Sequence, residues 1–355
     1  MESRKVQRVG YATFSVSLPK KWVKSTGLKQ GDLIMVFPEK DGSLKLIPSS
    51  MVERRAQIEE YVINSDLCNE PRMLERLIVG NYILGRDVFK VVSSTRISSI
   101  HAEEVRQITR RLMGLGIVQE TPQQIDLQCS IDPTKFKIDM LLRRLSIIAS
   151  TMNSEAMQAL TESNQEMAEA TFRLEDEADM MYWLATRLLI SAQHDRIIAD
   201  KVGLEEPSQI LYYTLIARYL EIIADHAEDI ARRAIEFKNH IKERANRQAM
   251  RKIMNLSEMA QSVLLKAMDC LFSGNIEIAN NVLEITKVIR STHEKLMAEL
   301  PESEILRTIV LDLRRIADNG AGIAVIAINR ALEKPSKICY AESSGLQHNV
   351  ANETS

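Results

Sequence analysis

The chain has 355 residues, 45% of them hydrophobic and 26% charged, with a formal net charge of −2. That length holds two or three domains and a sizeable core, and near-neutrality excludes the global field that marks a whole chain as a nucleic-acid or membrane binder. The four cysteines (Cys68, Cys129, Cys270, Cys339) lie far apart; the absence of zinc spacing, of a signal peptide and of any run of about 18 apolar residues predicts a cytoplasmic protein with free thiols and no integral membrane segment.

Residues 1–50 read as short strands around one short helix. Lys5 to Val9 and Thr13 to Leu18 alternate about the Gly10-Tyr11 turn, with Phe14, Val16 and Leu18 on one face. Pro19 suits the first turn of a helix from Lys20 to Thr26, which Gly27 ends. Leu33 to Phe37 and Ser43 to Ile47 are strands about the hairpin signal Asp41-Gly42. Such a unit is too small to bury a good core alone, so a dimer sharing its sheet is expected. From Arg4 to Lys29 every charged residue is basic: Arg4, Lys5, Arg8, Lys20, Lys21, Lys24 and Lys29. They suit phosphate contacts, and the arginines suit base readout; the bland alternative is a solubilising surface on a dimerisation module.

Residues 51–133 alternate strand and helix: Gln57–Ile63 strand, Glu70–Leu84 helix, Val88–Val92 strand, His101–Met113 helix, then strands at Ile117–Gln119 and Ile125–Cys129. No phosphate-binding loop motif occurs in this small α/β module. It serves as a connector, a dimer contact or a small-ligand site.

Residues 134–333 are helical nearly throughout, with breaks near Thr161–Asn164, Gly203–Pro207, Asn239–Lys242, Ser273–Asn275 and Leu300–Pro301. That predicts six helices in two tandem three-helix bundles, 134–235 and 236–333, followed by a polar, disordered tail at 334–355. An internal repeat supports the pairing. Leu220-Glu-Ile-Ile-Ala-Asp225-His-Ala-Glu-Asp-Ile-Ala-Arg-Arg-Ala-Ile235 answers Leu313-Arg-Arg-Ile-Ala-Asp318-Asn-Gly-Ala-Gly-Ile-Ala-Val-Ile-Ala-Ile328, and Asn164-Gln-Glu166 answers Asn275-Ile-Glu277.

In the first copy Glu221, Asp225 and Asp229 recur every four residues and form an acidic stripe; Glu175 and Asp179 do the same on the preceding helix. Like charges at this spacing cost roughly 0.2–0.5 kcal/mol each unless a cation offsets them. The pattern leaves two outcomes open, a solvated acidic face or a hard-oxygen pocket for a divalent or trivalent metal ion such as Mg, Mn, Ca, Fe or Zn. His226, one position off the stripe, reads as an interhelical hydrogen-bonding residue. In the second copy Arg314 takes the place of Glu221, Gly322 of Asp229, Thr286 of Glu175 and Arg290 of Asp179, while Asp318 keeps the place of Asp225. A cation site belongs to the first repeat only. Arg290 and Arg314 are expected to pair with Asp318, with anion binding as the other possibility.

Two resemblances follow from these residues. The run Val16-Ser-Leu18-Pro19-Lys20, the turn Gly27-Leu-Lys-Gln-Gly31-Asp32 and the following strands resemble the swapped-hairpin DNA-binding domain of the AbrB/SpoVT family, which implies an intertwined homodimer with a basic face on DNA. The phrase Arg218-Tyr-Leu-Glu221-Ile-Ile-Ala-Asp225-His-Ala-Glu-Asp229 and the two three-helix repeats resemble the PhoU family, which implies regulation of phosphate uptake and, in several members, metal on these carboxylates. The combined expectation is a multidomain, mainly α chain: a β swapped-hairpin domain, an α/β module and two tandem helical repeats. Its function is that of a DNA-binding transcriptional regulator of phosphate uptake. The alternative is a modulator of a phosphate transporter or signalling kinase that does not bind DNA. With no nucleophile–base pair in view, an enzyme is not expected.

Overall fold

A computed structural model describes residues 3–38, 42–51, 60–237, 244–300 and 303–340. The chain divides into two compact units, Met1–Tyr61 and Val62–Ser355.

The first unit contains two antiparallel hairpins and a short helix. Strands β1 (Gln7–Val9) and β2 (Thr13–Ser15) pair, and so do β3 (Ile34–Pro38) and β4 (Leu44–Pro48). Helix α1 (Lys20–Thr26) lies between the hairpins, ends at left-handed Gly27 as the sequence predicts, and buries no residue. Many apolar side chains in and beside these strands are uncovered: Tyr11 is 96% and Phe14 70% exposed, and Val9, Val16, Leu33 and Val36 are also exposed. Asp41, the first residue of the predicted hairpin signal, and the first three residues of the strand expected at Gln57–Ile63 lie outside the described residues.

The second unit begins with β5 (Tyr61–Asn64), α2 (Met73–Ile83), β6 (Val88–Val92), α3 (Ser99–Arg111), β7 (Leu115–Glu120) and β8 (Gln124–Cys129). The strands form one sheet in the order β5-β6-β8-β7. Alternate residues of β6 and β8, Phe89, Val91, Ile125 and Leu127, are fully buried, as are Leu74, Ile78 and Tyr82 of α2 and Val105 and Ile108 of α3. That is the period-2 and period-3.6 burial of a sheet packed by helices. Helix α3 starts two residues earlier than predicted because Ser98 caps it, accepting from the His101 amide.

The helical part contains α4 (Ile138–Glu162), α5 (Gln165–His194), α6 (Arg196–Val202), α7 (Ser208–Phe237), α8 (Arg244–Ser273), α9 (Ile276–Glu299) and α10 (Glu304–Ala331). The short α6 is a departure from the six expected helices. Asp195 ends α5 in extended conformation and its side chain accepts from the Ile197 amide, so one residue stops one helix and caps the next. The repeated Asn-x-Glu has a shared cause. Asn164 and Asn275 both cap the helix that follows, each with a glutamate in the first turn, where the macrodipole favours it. The break predicted at Asn239–Lys242 and the tail beyond Tyr340 lie outside the described residues.

Helices α4, α5 and α7 pack together, as do α8, α9 and α10. The two sets share one continuous core, joined by α7 against α10 and α4 against α8. Close approach is made by small residues. A Cβ on Gly322 would lie 2.8 Å from the Tyr219 ring of α7, and within the second set one on Gly320 would lie 2.7 Å from Val263 Cγ1 of α8. In the alignment of the two copies Gly322 stands where Asp229 stands, and Asp312 where Tyr219 stands. The crossing therefore has two related contacts, ring on glycine and carboxylate by carboxylate.

The α/β module docks on α5 through α2 and α3. Arg187 of α5, nearly buried, donates to the Tyr82 carbonyl at 2.6 Å and the Arg86 carbonyl at 3.3 Å and pairs with Asp87. It thus adds a second donor to the Tyr82 carbonyl, which also accepts from the Gly85 amide, and bonds the Arg86 carbonyl just beyond the end of α2. Among the described residues no helix is long and apolar enough to cross a membrane.

Gly322→Ala is expected to destabilise by about 1–3 kcal/mol, the usual effect of overpacking a close contact. Denaturant unfolding measures this; an unchanged midpoint would mean that Tyr219 moves aside freely.

Candidate metal centre and its charge-inverted twin

The apolar stripe of α7 (Leu220, Ile223, Ala227, Ile230, Ala234) is buried. Its acidic stripe is thereby held against α5. Glu175, Asp179, Glu221 and Asp225 lie within range of one another's charge, Asp179 feeling Glu221 and Asp225 and Glu221 feeling Asp225 and Glu175, but no three of them bring ligand atoms within 4.8 Å of one another. Burial raises the carboxyl pKa of all four, and their mutual repulsion adds to it in Glu175, Asp179 and Glu221; Glu221 is pushed to about 7.

Two arginines enter this pocket. Arg218 donates to Glu221 Oε1 at 2.5 Å, while Glu221 Oε2 is buried with no donor. Arg111, at the end of α3, reaches across from the α/β module. It lies 2.8 Å from Asp179, 2.9 Å from Asp176 and 3.7 Å from Glu175, with its guanidinium over Trp183. Glu228 is taken by Arg232. Four crowded carboxylates thus face two arginines, one of which also holds Asp176. The donors are all hard oxygens and fit Mg, Mn, Ca or an oxygen-ligated Fe or Zn.

Asp229 departs from the predicted set. An α-helix turns about 100° per residue, so each step of four drifts by about 40° and Asp229 lies about 80° round from Glu221. It faces α10 instead. His226, Asp229 and Asp312 are the one group of three among the described residues whose ligand atoms come within 4.8 Å of one another. His226 does reach across helices as expected: its Nδ1 is 3.3 Å from Asp312 Oδ1, although without hydrogen-bond alignment. Asp312, 1% exposed, also has Arg233 at 3.5 Å and Arg315 at 3.6 Å. Two arginines already balance the two carboxylates, so this second cluster has no charge left for a cation.

The second repeat shows the expected substitute. Arg290 Nε donates to Asp318 Oδ1 at 2.8 Å and Arg314 Nε lies 3.3 Å from Oδ2. In the first unit all seven predicted basic residues, Arg4, Lys5, Arg8, Lys20, Lys21, Lys24 and Lys29, are exposed, the last four on or next to α1.

Sequence reasoning missed Arg111 and Asp312. Arg111 ends a helix in a different module, and nothing local links it to the carboxylates. Asp312 carried a readable signal, being an acid inside the apolar periodicity Ile309, Val310, Leu313, Ile316 of α10.

Comparison with known proteins gives three findings. Residues 142–234 match the family model of the PhoU domain. Residues 7–54 match that of the antidote-toxin recognition domain MazE, a bacterial antitoxin. The crystal structure of PhoU from Pseudomonas aeruginosa is similar over 54% of this chain and 93% of that chain, with 20% identity and a TM-score of 0.45. No curated protein matches.

The raised carboxyls make stability pH-dependent. Between the ordinary glutamate value of 4.5 and about 7, folded Glu221 keeps a proton that the unfolded chain gives up. The native state then binds more protons, so stability falls as pH rises through that window. Metal-free protein should lose melting temperature from pH 5 to pH 8, and Glu221→Gln should flatten the fall; an equal slope in the variant would remove Glu221 as its source.

Proposed function

We propose that this chain, which carries a PhoU domain behind a MazE/AbrB-like N-terminal domain, is a phosphate-responsive transcriptional regulator that binds DNA as a cytoplasmic homodimer. A PhoU domain fits phosphate-related regulation, and a MazE/AbrB-like domain fits DNA binding. One observation carries the reading: an acid-free set of exposed basic side chains lies on a unit with many apolar side chains uncovered. Apolar area of that kind is buried by association at roughly 25 cal/mol per Å². A second copy of the unit supplies the matching surface by symmetry, and the lysines and arginines of both copies then line one face toward phosphates.

In this reading Glu175, Asp179, Glu221 and Asp225 hold a divalent or trivalent metal ion. The ion supplies the positive charge that the crowded carboxylates lack. Arg111 makes the α/β module part of that site, so loading the pocket alters the docking of the segment that leads to the DNA-binding unit. In the alternative reading the partner is a phosphate transporter or signalling protein.

Genomic fragments selected by the full chain should be lost when residues 1–50 are removed. Replacing Lys20, Lys21 and Lys24 by Ala should weaken binding and reduce the log–log salt slope by about 0.9 for each phosphate that the variant no longer neutralises. Binding that is weak and equal on all sequences would favour a modulator that uses the N-terminal unit only to dimerise. For the metal, the double variant Glu221→Ala/Asp225→Ala should copurify with less metal than the wild type; equal content would remove the pocket from the proposal.

A further inference from the structure

The second repeat repeats the geometry of the carboxylate pocket with opposite charge. Helices α9 and α10 bring together Arg290, His293, Arg314 and Asp318. Arg290 and His293 are three apart and share a face of α9 with Thr286; Arg314 and Asp318 are four apart and share a face of α10. One carboxylate serves two guanidinium groups. Arg290 bonds it, while Arg314 lies within ion-pair range but its buried Nε makes no hydrogen bond.

His293 is the independent sign of a ligand. It is 8% exposed, and neither ring nitrogen has a hydrogen-bond partner. A buried polar group left without a partner is costly, and such groups call for an explanation. Thr286 does not help, since its hydroxyl donates to the Val282 carbonyl. Burial and then the Arg314 charge lower the imidazole pKa, so the ring is neutral at pH 7 with one N–H to give. Glu294, exposed and next along α9, also acts on His293, more weakly than Arg314.

We propose that Arg290, His293 and Arg314 form an oxyanion site for inorganic phosphate, with Asp318 as its selectivity element. Two guanidinium groups and an imidazole N–H offer donors to phosphate oxygens. Asp318 offers an acceptor, which suits the P–OH of hydrogenphosphate. Sulfate has no proton to give at pH 7, and the carboxylate repels it. Arg290 is more than half exposed, and His293 is buried within range of the Arg314 and Asp318 charges. The site deepens the phosphate-responsive reading by naming its effector contact, and it uses no residue of the metal pocket.

Isothermal titration of the full chain with sodium phosphate tests it, in chelator, so that no metal on the first repeat draws the anion. The wild type should bind one phosphate per chain saturably and prefer it to sulfate. Arg290→Gln should weaken binding about tenfold or more, the scale of a charge-assisted hydrogen bond. Asp318→Asn should narrow the preference over sulfate. Circular dichroism melts confirm that the variants fold, and Arg290 is exposed enough for its variant to do so. Absence of saturable phosphate binding, or equal affinity in folded Arg290→Gln protein, would overturn the site. DNA binding that still responds to phosphate in that variant would overturn the site and leave the regulator reading in place. DNA binding of the wild type that ignores phosphate, beside a titration that succeeds, would overturn that reading and leave the site.

Discussion

The close crossing of α7 and α10 is the constraint on which the helical part depends. It joins two three-helix sets into one core, and it can form because Gly322 leaves room for Tyr219. The crossing also fixes the rotation of both helices. Once Leu220, Ile223, Ala227 and Ile230 point into the core, the direction of Glu221 and Asp225 is set, and they must face α5. The same lock on α10 turns Arg314 and Asp318 toward α9. The chemistry at both sites is a consequence of apolar packing.

Charge balance then separates the clusters. Around Glu221 the carboxylates outnumber the arginines, and burial raises their pKa values. Around Asp312 two arginines cancel two acids. Around Asp318 two arginines exceed one acid. The two copies keep the hydrophobic register of both helices, while the residues facing the polar gaps have exchanged charge. This is the expected order of constraint, because one core methylene matters to packing while a half-buried charge can be exchanged with its counterion.

The α/β module has a structural tie to the bundle that its sequence does not announce. Arg187 closes the end of α2, and Arg111 enters the acidic pocket. Both are single cations satisfying groups from elements distant in sequence. No periodicity marks such residues, since an arginine in a helix is ordinary and its partner is decided by docking.

Local signals settled much of this protein. Gly27 ended α1 where expected, the matched asparagines capped α5 and α9, and strand and helix periods located the elements of the α/β module. The repeat gave the two three-helix sets, and the comparison of its copies gave the Arg290–Asp318–Arg314 group. These features depend on backbone conformation and spacing along one or two helices. Tertiary structure decided which faces met. It moved Asp229 off the carboxylate pocket and onto Asp312, inserted Arg111, split off α6 at Asp195 and left His293 without a partner. Helix drift of about 40° for every four residues carries no label in sequence, and a charge acquires its partner only when two helices pack.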